Sequence, residues 1–397
     1  MRKNRIHIIK EAILAALIIL LITWLVSFVP LKFEFLKAIR QDFNGFDIYD
    51  LYYAGKNDNN HDSNIVLIQI ANDRKEIATQ INLIKKYKPA VIAVDAIFKN
   101  TKDSSSDALL EHAVENDNSI ILVSVIDTIN NILTFDHNYF ETQVTKYTTG
   151  YINMVGGNYS VIRNYPPFLK VDTVEAFSFS SRIVQAFSPE KFNRLKARGN
   201  EEEIINYKGN TERYTSITGE ELIEYDHNHE LDSILKRKII LLGYFVKYPP
   251  FVLEDIHFSP LNPVFAGKSF PDMYGVVIHA NIVSMILDGN YAKLASHTTS
   301  YFIAFLLTFL LLYNVLLRYA KKGHASHARL MLIQFILVLL VLFVFLQLYN
   351  LFLWKVHLLP VLISLAICIE LQGVYKILAL FLNKHVGYKT VFKPSVK

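Results

Sequence analysis

Cysteine is nearly absent from this 397-residue chain: Cys368 is the single one, and it lies inside a hydrophobic run. No disulfide can form within one chain, and a cysteine-based metal centre is excluded. Missing too are the short motifs that announce familiar chemistry. There is no G-x-G-x-x-G after a strand-like run, no phosphate loop, no G-x-S-x-G and no H-E-x-x-H. No repeat or low-complexity stretch stands out. After the first apolar run there is no small-residue cleavage site, so that run is expected to remain as an anchor. These absences predict no catalytic residue set, no metal and no cofactor.

What is abundant is hydrocarbon. Hydrophobic residues make up 52% of the chain, and the formal net charge is +5. A basic excess can suit nucleic acid. Here many Lys and Arg flank apolar runs, as membrane topology requires, so nucleic acid is not an expected partner.

A span needs about 20 mostly apolar residues. Four runs qualify: 11–31, 300–319, 330–353 and 358–377. The N-terminal segment 1–10 is basic. The loop 318–329 carries Arg318, Lys321, Lys322 and Arg329, and the tail 378–397 carries Lys384, Lys389, Lys393 and Lys397. Positive segments stay in the cytoplasm, which places these three inside and residues 32–299 outside. The fourth run is interrupted by Glu370 and Gln372 and followed by Lys376. Lys376 can snorkel to the interface; Glu370 either contacts a partner helix or proton path, or is protonated or hydrogen-bonded within the bundle.

Within 32–299, strand and helix patterns alternate. Asn64–Ile70 reads as a strand and Arg74–Tyr87 as a helix, with Asp73 at its N-cap position and Glu76 three residues on. Ala90–Phe98 is a second apolar strand, expected to pair in parallel through a right-handed crossover. Ser106–Asn116 and Val174–Phe187 read as helices. Ser119–Ile126, Ile204–Tyr207 and Lys238–Gly243 read as strands, and 272–288 as the last helix. Gly156-Gly157 marks a turn, and Pro249–Pro271 is a long loop. The pattern predicts a three-layer α/β domain with an antiparallel addition.

Asp95 lies near the end of its strand, and Asp73 follows the neighbouring one. Strand carboxyl ends form the ligand crevice of open parallel sheets. The pair could bind a cation or act as acid and base; in the other reading, which the clear cap position favours for Asp73, Asp73 caps its helix and Asp95 bonds loop amides. In Glu254–Pro263, EDIHFSPLNP, Asp255 can orient His257 as a clasp or part of a ligand pocket, and no nucleophile accompanies them. His227-Asn228-His229 reads as a solvated segment without a third metal ligand. In the last helix, Ile278, Ile282, Met285 and Ile286 form an apolar stripe, with Asn281, Ser284 and Asp288 on the other side. His279 beside that stripe reads as a satisfied core residue.

The order IVLIQIANDRKEIATQINLIKKYKPAVIAVDAIF, IINYKG, KIILLGY, DIHFSPLNP and PDMYGVVIHANIVSMILDGNY resembles a known family. It is the second class of the cyclase/histidine-kinase-associated sensory extracellular (CHASE) domains. The resemblance covers about residues 33–296 and is most specific over 238–291. It implies one N-terminal span, a sensor and three C-terminal spans. Family members commonly carry a second acid and a longer insert containing Trp and Pro after the first strand. Here Ala71-Asn72-Asp73 runs directly into the helix. Members also usually continue into a cytoplasmic cyclase, kinase or phosphodiesterase, whereas about 16 residues follow Phe381 here. Output is therefore expected from another polypeptide.

The expected protein is a multi-pass component of a bacterial cytoplasmic membrane, with its large domain in the periplasm. A small-molecule ligand or an envelope protein binds near Asp73, Asp95, Asp255 and His257. The helix carrying Tyr274, His279, Asn281 and Asp288 couples binding to the spans and to a membrane or envelope partner. The alternative is a constitutive scaffold subunit of a membrane assembly. An enzyme using Asp95 or His257 is a third reading.

Overall fold

Short aliphatic runs bounded by turn residues become strands of one sheet, and the segments between them become its covering helices. The structure, a computed structural model, describes residues 2–28, 47–54, 60–115, 117–129, 132–136, 147–154, 161–248, 254–262, 270–322 and 326–392. The chain divides into two units: Met1–Lys37 with Lys293–Lys397, and Ala38–Ala292. The Gly156-Gly157 turn and residues 29–31 of the first expected span lie outside the described residues.

Helix α1 (Arg2–Phe28) belongs to the first unit. The second unit begins with α2 (Asp50–Tyr53), β1 (Asp62–Gln69), α3 (Arg74–Lys86), β2 (Val91–Asp95) and α4 (Ser104–Val114). Strands β3 (Ile120–Ile129), β4 (Ile132–Asp136) and β5 (Thr148–Tyr151) follow. Next come β6 (Asn164–Tyr165), β7 (Phe168–Val171), β8 (Val174–Phe177), α5 (Phe179–Phe187), α6 (Pro189–Arg198) and β9 (Glu203–Ile204). The unit closes with β10 (Tyr214–Ile217), α7 (Gly219–His227), α8 (Leu231–Leu235), β11 (Ile239–Gly243), β12 (Ile256–His257), β13 (Met273–Tyr274) and α9 (Gly275–Asp288).

The main sheet has the order β10-β1-β11-β2-β3-β4, and β5 also pairs with β3. Every pairing is parallel except β3 with β4. Val66, Ile68, Ile92, Val94, Ile240 and Leu242 point to one face and join Ile77, Ile81, Ile84 and Leu110 of α3 and α4 in one apolar cluster. Strand alternation sends Ile65, Leu67, Ala93, Ile239 and Leu241 to the other face, where α9 and α5 pack. Strands covered on both faces read as continuous apolar runs, and this is the three-layer α/β architecture that the sequence predicts.

Several expected elements differ. Strand β11 lies between β1 and β2, so the first crossover joins two parallel strands that are not neighbours. Val174–Phe187 is not one helix. Val174–Phe177 pairs with Phe168–Val171, and α5 starts after Ser178, whose hydroxyl accepts the Ser181 N–H. Helix α6, with Pro189 in its first turn, went unpredicted although Pro suits that position. The strand expected at Ile204–Tyr207 is only Glu203–Ile204, and the last helix begins at Gly275 rather than at 272. Asp73 does cap α3, accepting the Lys75 N–H at 2.7 Å; the complete reciprocal capping box occurs instead at Thr218 and Glu221. Next to Asp73, buried Arg74 pairs with buried Asp107, whose other oxygen accepts the Lys102 N–H at 3.0 Å.

The first unit adds β14 (Lys293–Leu294), α10 (His297–Lys322), α11 (His327–Phe352), β15 (Trp354–Lys355), α12 (Leu358–Ala366) and α13 (Cys368–Val386). Among the described residues, three helices are long and apolar enough to cross a membrane: Arg5–Leu25, His297–Lys321 and His327–Phe352. Helices α12 and α13 make a fourth if counted as one span, bent by 59°. The last run is thus a broken helix rather than an unbroken one. The Gln334 amide of α11 fits the break: it donates to Ala366 O at 2.6 Å and accepts from Ile369 N at 2.8 Å. Two backbone groups freed by the break are satisfied there, as apolar surroundings demand.

Candidate functional site at the carboxyl rim of the sheet

The row Gln69, Gly243, Asp95 crosses the carboxyl ends of β1, β11 and β2. A Cβ on Gly243 would lie 2.7 Å from Val276 and 3.2 Å from Asp95 Cβ. The first turn of α9 therefore rests directly on this rim, and Gly243 permits the approach. From above, Asp255 closes on the same turn. A Cβ on Gly275 would lie 2.9 Å from Asp255 Oδ2, and Gly275 N donates to Asp255 O at 3.1 Å. Asp255 itself adopts a left-handed backbone conformation, with φ of 50°. Its carboxylate at the start of α9 has the favourable sign for a helix N-terminus. His257 Nε2 lies 3.3 Å from Asp255 Oδ1. Burial, and then the charge of Asp255, push Asp95 up to about 8. The rim thus joins one carboxyl group that holds its proton near neutrality to an exposed Asp–His pair.

Asp73 does not join this group. It is exposed, bound to the start of α3, and β11 separates its strand from β2. The expectation that Asp73 and Asp95 share neighbouring strands fails because strand order follows long-range pairing rather than chain order.

The short β12–β13 ribbon holds Asp255–His257 in place. Ile256 pairs with Tyr274 and His257 with Met273. Asp272 tightens the loop, accepting Ser259 N at 2.8 Å, Ser259 Oγ at 2.5 Å and Asn262 Nδ2 at 3.2 Å. Beside the ribbon opens a cavity of about 730 Å³. Its walls include Asn210, Ser216, Lys247, Ile256, Asp272 and Tyr274. None of Asp73, Asp95, Asp255 and His257 lines it; Ile256, between the last two, does. Lys247 donates to Ser216 O and to both oxygens of Glu221, each at 2.8 Å, so its charge is already matched by that carboxylate.

Helix α9 is not the half-exposed helix that its stripe suggested. Every residue from Val276 to Ile286 is buried. Its polar side chains fasten neighbouring loops. Asn281 accepts Lys208 N at 2.9 Å and donates to Gly209 O at 2.9 Å. Ser284 donates to Asp62 at 2.6 Å, and Asp288 pairs with Lys208. Tyr274 occupies the N-cap position without a side-chain cap bond. His279 bonds Ser180 Oγ at 2.9 Å and meets the Phe179 ring edge-on. Burial, and then the charge of His257, lower His279 to about 3, so its imidazole is neutral. Both His279 and Ser180 are buried, which makes the pair a core contact rather than a nucleophile and its base.

In the helical unit, Glu370 stands in the first turn of α13, 3.5 Å from His327, with its side chain more than half exposed. Gln372 is buried. Among the described residues of this unit, the buried acid that sequence reasoning did not single out is Glu11 on α1, which accepts Thr390 Oγ1 and, at 3.1 Å, Val391 N. A carboxylate at the edge of an apolar run was the available signal.

The family model of the CHASE2 domain matches residues 20–317. No curated protein and no solved structure matches the chain.

Proposed function

The chain belongs to the CHASE2 domain family, whose members are extracellular sensory domains, and from that membership we propose how this one works. Residues 32–299 bind a small-molecule or protein ligand at the rim formed by Asp95, Asp255, His257 and the adjoining cavity. Binding biases the position of α9, and α9 passes that bias to the spans and to a separate partner that supplies the output. The host membrane is the bacterial cytoplasmic membrane, with the sensory unit in the periplasm.

One observation carries this reading. The first turn of α9 touches Asp255 on one side and the Gly243–Asp95 row on the other. The same helix continues, through residues 289–296, into α10. A ligand that favours one arrangement of the rim therefore acts on the element leading to the membrane, provided its affinity differs between two states. A protonated Asp95 can donate a hydrogen bond, and the carboxyl oxygens of Asp255 can accept one, so the rim offers both to a polar ligand.

Replacing residues 289–296 with a long flexible linker tests the coupling. Binding should persist while the partner's response is lost; a surviving response contradicts the mechanism. Co-purification in mild detergent tests the sensory role. A complex whose composition shifts with ligand supports it, and a stoichiometric, ligand-independent complex marks a constitutive scaffold instead.

A further inference from the structure

The segment IINYKG, Ile204–Gly209, carries part of the family resemblance, yet the rim does not use it. Its side chains reach both ends of the sensory unit. On one side is α2, which follows the first span in chain order. Arg163 holds Asp50 of α2 through Nε, at 2.8 Å from Oδ1, and through a second bond to Oδ2, while Arg163 O accepts Ile205 N at 2.8 Å. Tyr53 Oη donates to Asn206 Oδ1 at 3.4 Å, and the Tyr53 ring meets Tyr207 edge-on. On the other side is the end of α9. Asn206 N donates to Met285 Sδ at 3.3 Å, and Asn206 Nδ2 donates to Asn290 O at 3.2 Å. Lys208 reaches the same helix twice, from its N–H to Asn281 and from its ammonium to Asp288.

One buried side chain, the Asn206 amide, therefore bonds to both ends. Asn290 O can only accept, so the amide nitrogen faces it, and the amide oxygen is left for the Tyr53 hydroxyl. A carboxylate in this place would keep the bond to Tyr53 and set oxygen against oxygen at Asn290. An aliphatic side chain would lose both bonds and leave two buried polar groups unpaired. We propose that residues 205–208 form a crossbar that joins the chain's entry into the sensory unit, at α2, to its exit at Asn290, with Asn206 as the positioning residue that couples them.

A displacement of α9 then carries α2 with it, and the response leaves the sensory unit through both of its connections rather than through α9 alone. That use in signalling rests on the sensory reading above. The crossbar itself rests on contacts within one unit, so it is tested without ligand or partner, and its failure leaves the rim untouched.

The test uses the full chain in lipid nanodiscs and perturbs the exit while reading the entry. The reading is hydrogen–deuterium exchange at α2, where the amides of Leu51, Tyr52 and Ala54 donate to the carbonyls of Ile48, Tyr49 and Asp50. The perturbation is Met285→Leu, which keeps the volume of the side chain and removes the sulfur that accepts Asn206 N. It is made in the natural chain and in a chain carrying Asn206→Leu. Met285→Leu should speed exchange at α2 about threefold in the natural chain and leave it within about 1.5-fold in the Asn206→Leu chain. No change at α2 in either chain would overturn the crossbar. The same rise in both would overturn the role of Asn206. If Asn206→Leu does not accumulate, Tyr53→Phe takes its place, because it cuts the same link on the α2 side.

Discussion

The two units bury polar atoms by different means. In the sensory unit, buried and half-buried polar side chains tie loops to the open sheet: Asn281 holds 208–209, Asp272 holds 259–262, and Arg74 with Asp107 holds the turn near Lys102. In the helical unit they repair interruptions. Gln334 spans the break between α12 and α13, and Glu11 receives the tail at Thr390 and Val391. A sheet leaves few backbone groups unpaired, so its polar side chains are free to hold loops. Where apolar helices break, side chains must complete the backbone itself.

Substitutions can break this contrast. The largest effect is expected from Asp107→Ala, which leaves Arg74 buried without its carboxylate. It should destabilise the sensory unit by about 3–5 kcal/mol in denaturant melts, with little change in the helical unit. Next comes the pH dependence set by Asp95. A carboxyl in the unfolded chain titrates near ~3.9, whereas folding raises Asp95 to about 8. The folded state then holds a proton that the unfolded chain has lost, so stability declines as pH rises from about 4 to about 8 and levels off above. Asp95→Asn should remove that slope, worth on the order of 2–3 kcal/mol once partial exposure is discounted. In the other unit, Gln334→Leu strands Ala366 O and Ile369 N. A loss of about 1–2 kcal/mol is expected in detergent melts, without effect on the sensory unit. The smallest is Ser178→Ala, which removes the cap of α5 at a cost of about 1 kcal/mol.

Much of the fold was legible in the sequence because burial on both faces writes a parallel strand as an unbroken aliphatic run. Ile65–Ile68, Val91–Val94 and Ile239–Leu242 are such runs, and each is a strand. Their order was not legible. Inserting β11 between β1 and β2 depends on pairing across more than a hundred residues of chain, and no local pattern records it. Val174–Phe177 was lost in the helix that follows it, since hairpin pairing with Phe168–Val171 overrides local pattern. At the rim, the unusual DIHFSPLNP and PDMYG segments did come together as one ribbon, whereas Asp73 fell away with the strand order. Lys247, Glu221 and Asp272 were missed because each is an ordinary surface residue type until the fold closes around it. Gln334 left a faint mark, a lone amide in a long apolar run.

The central claim is that a folded sensory unit stands outside the membrane while the basic 318–329 loop stands inside. Val174 and Lys321 are both exposed and can carry single cysteines in a Cys368→Ala chain. A membrane-impermeant maleimide applied to intact cells should label Val174→Cys at once and Lys321→Cys only after permeabilisation. The reverse order of labelling would contradict the account.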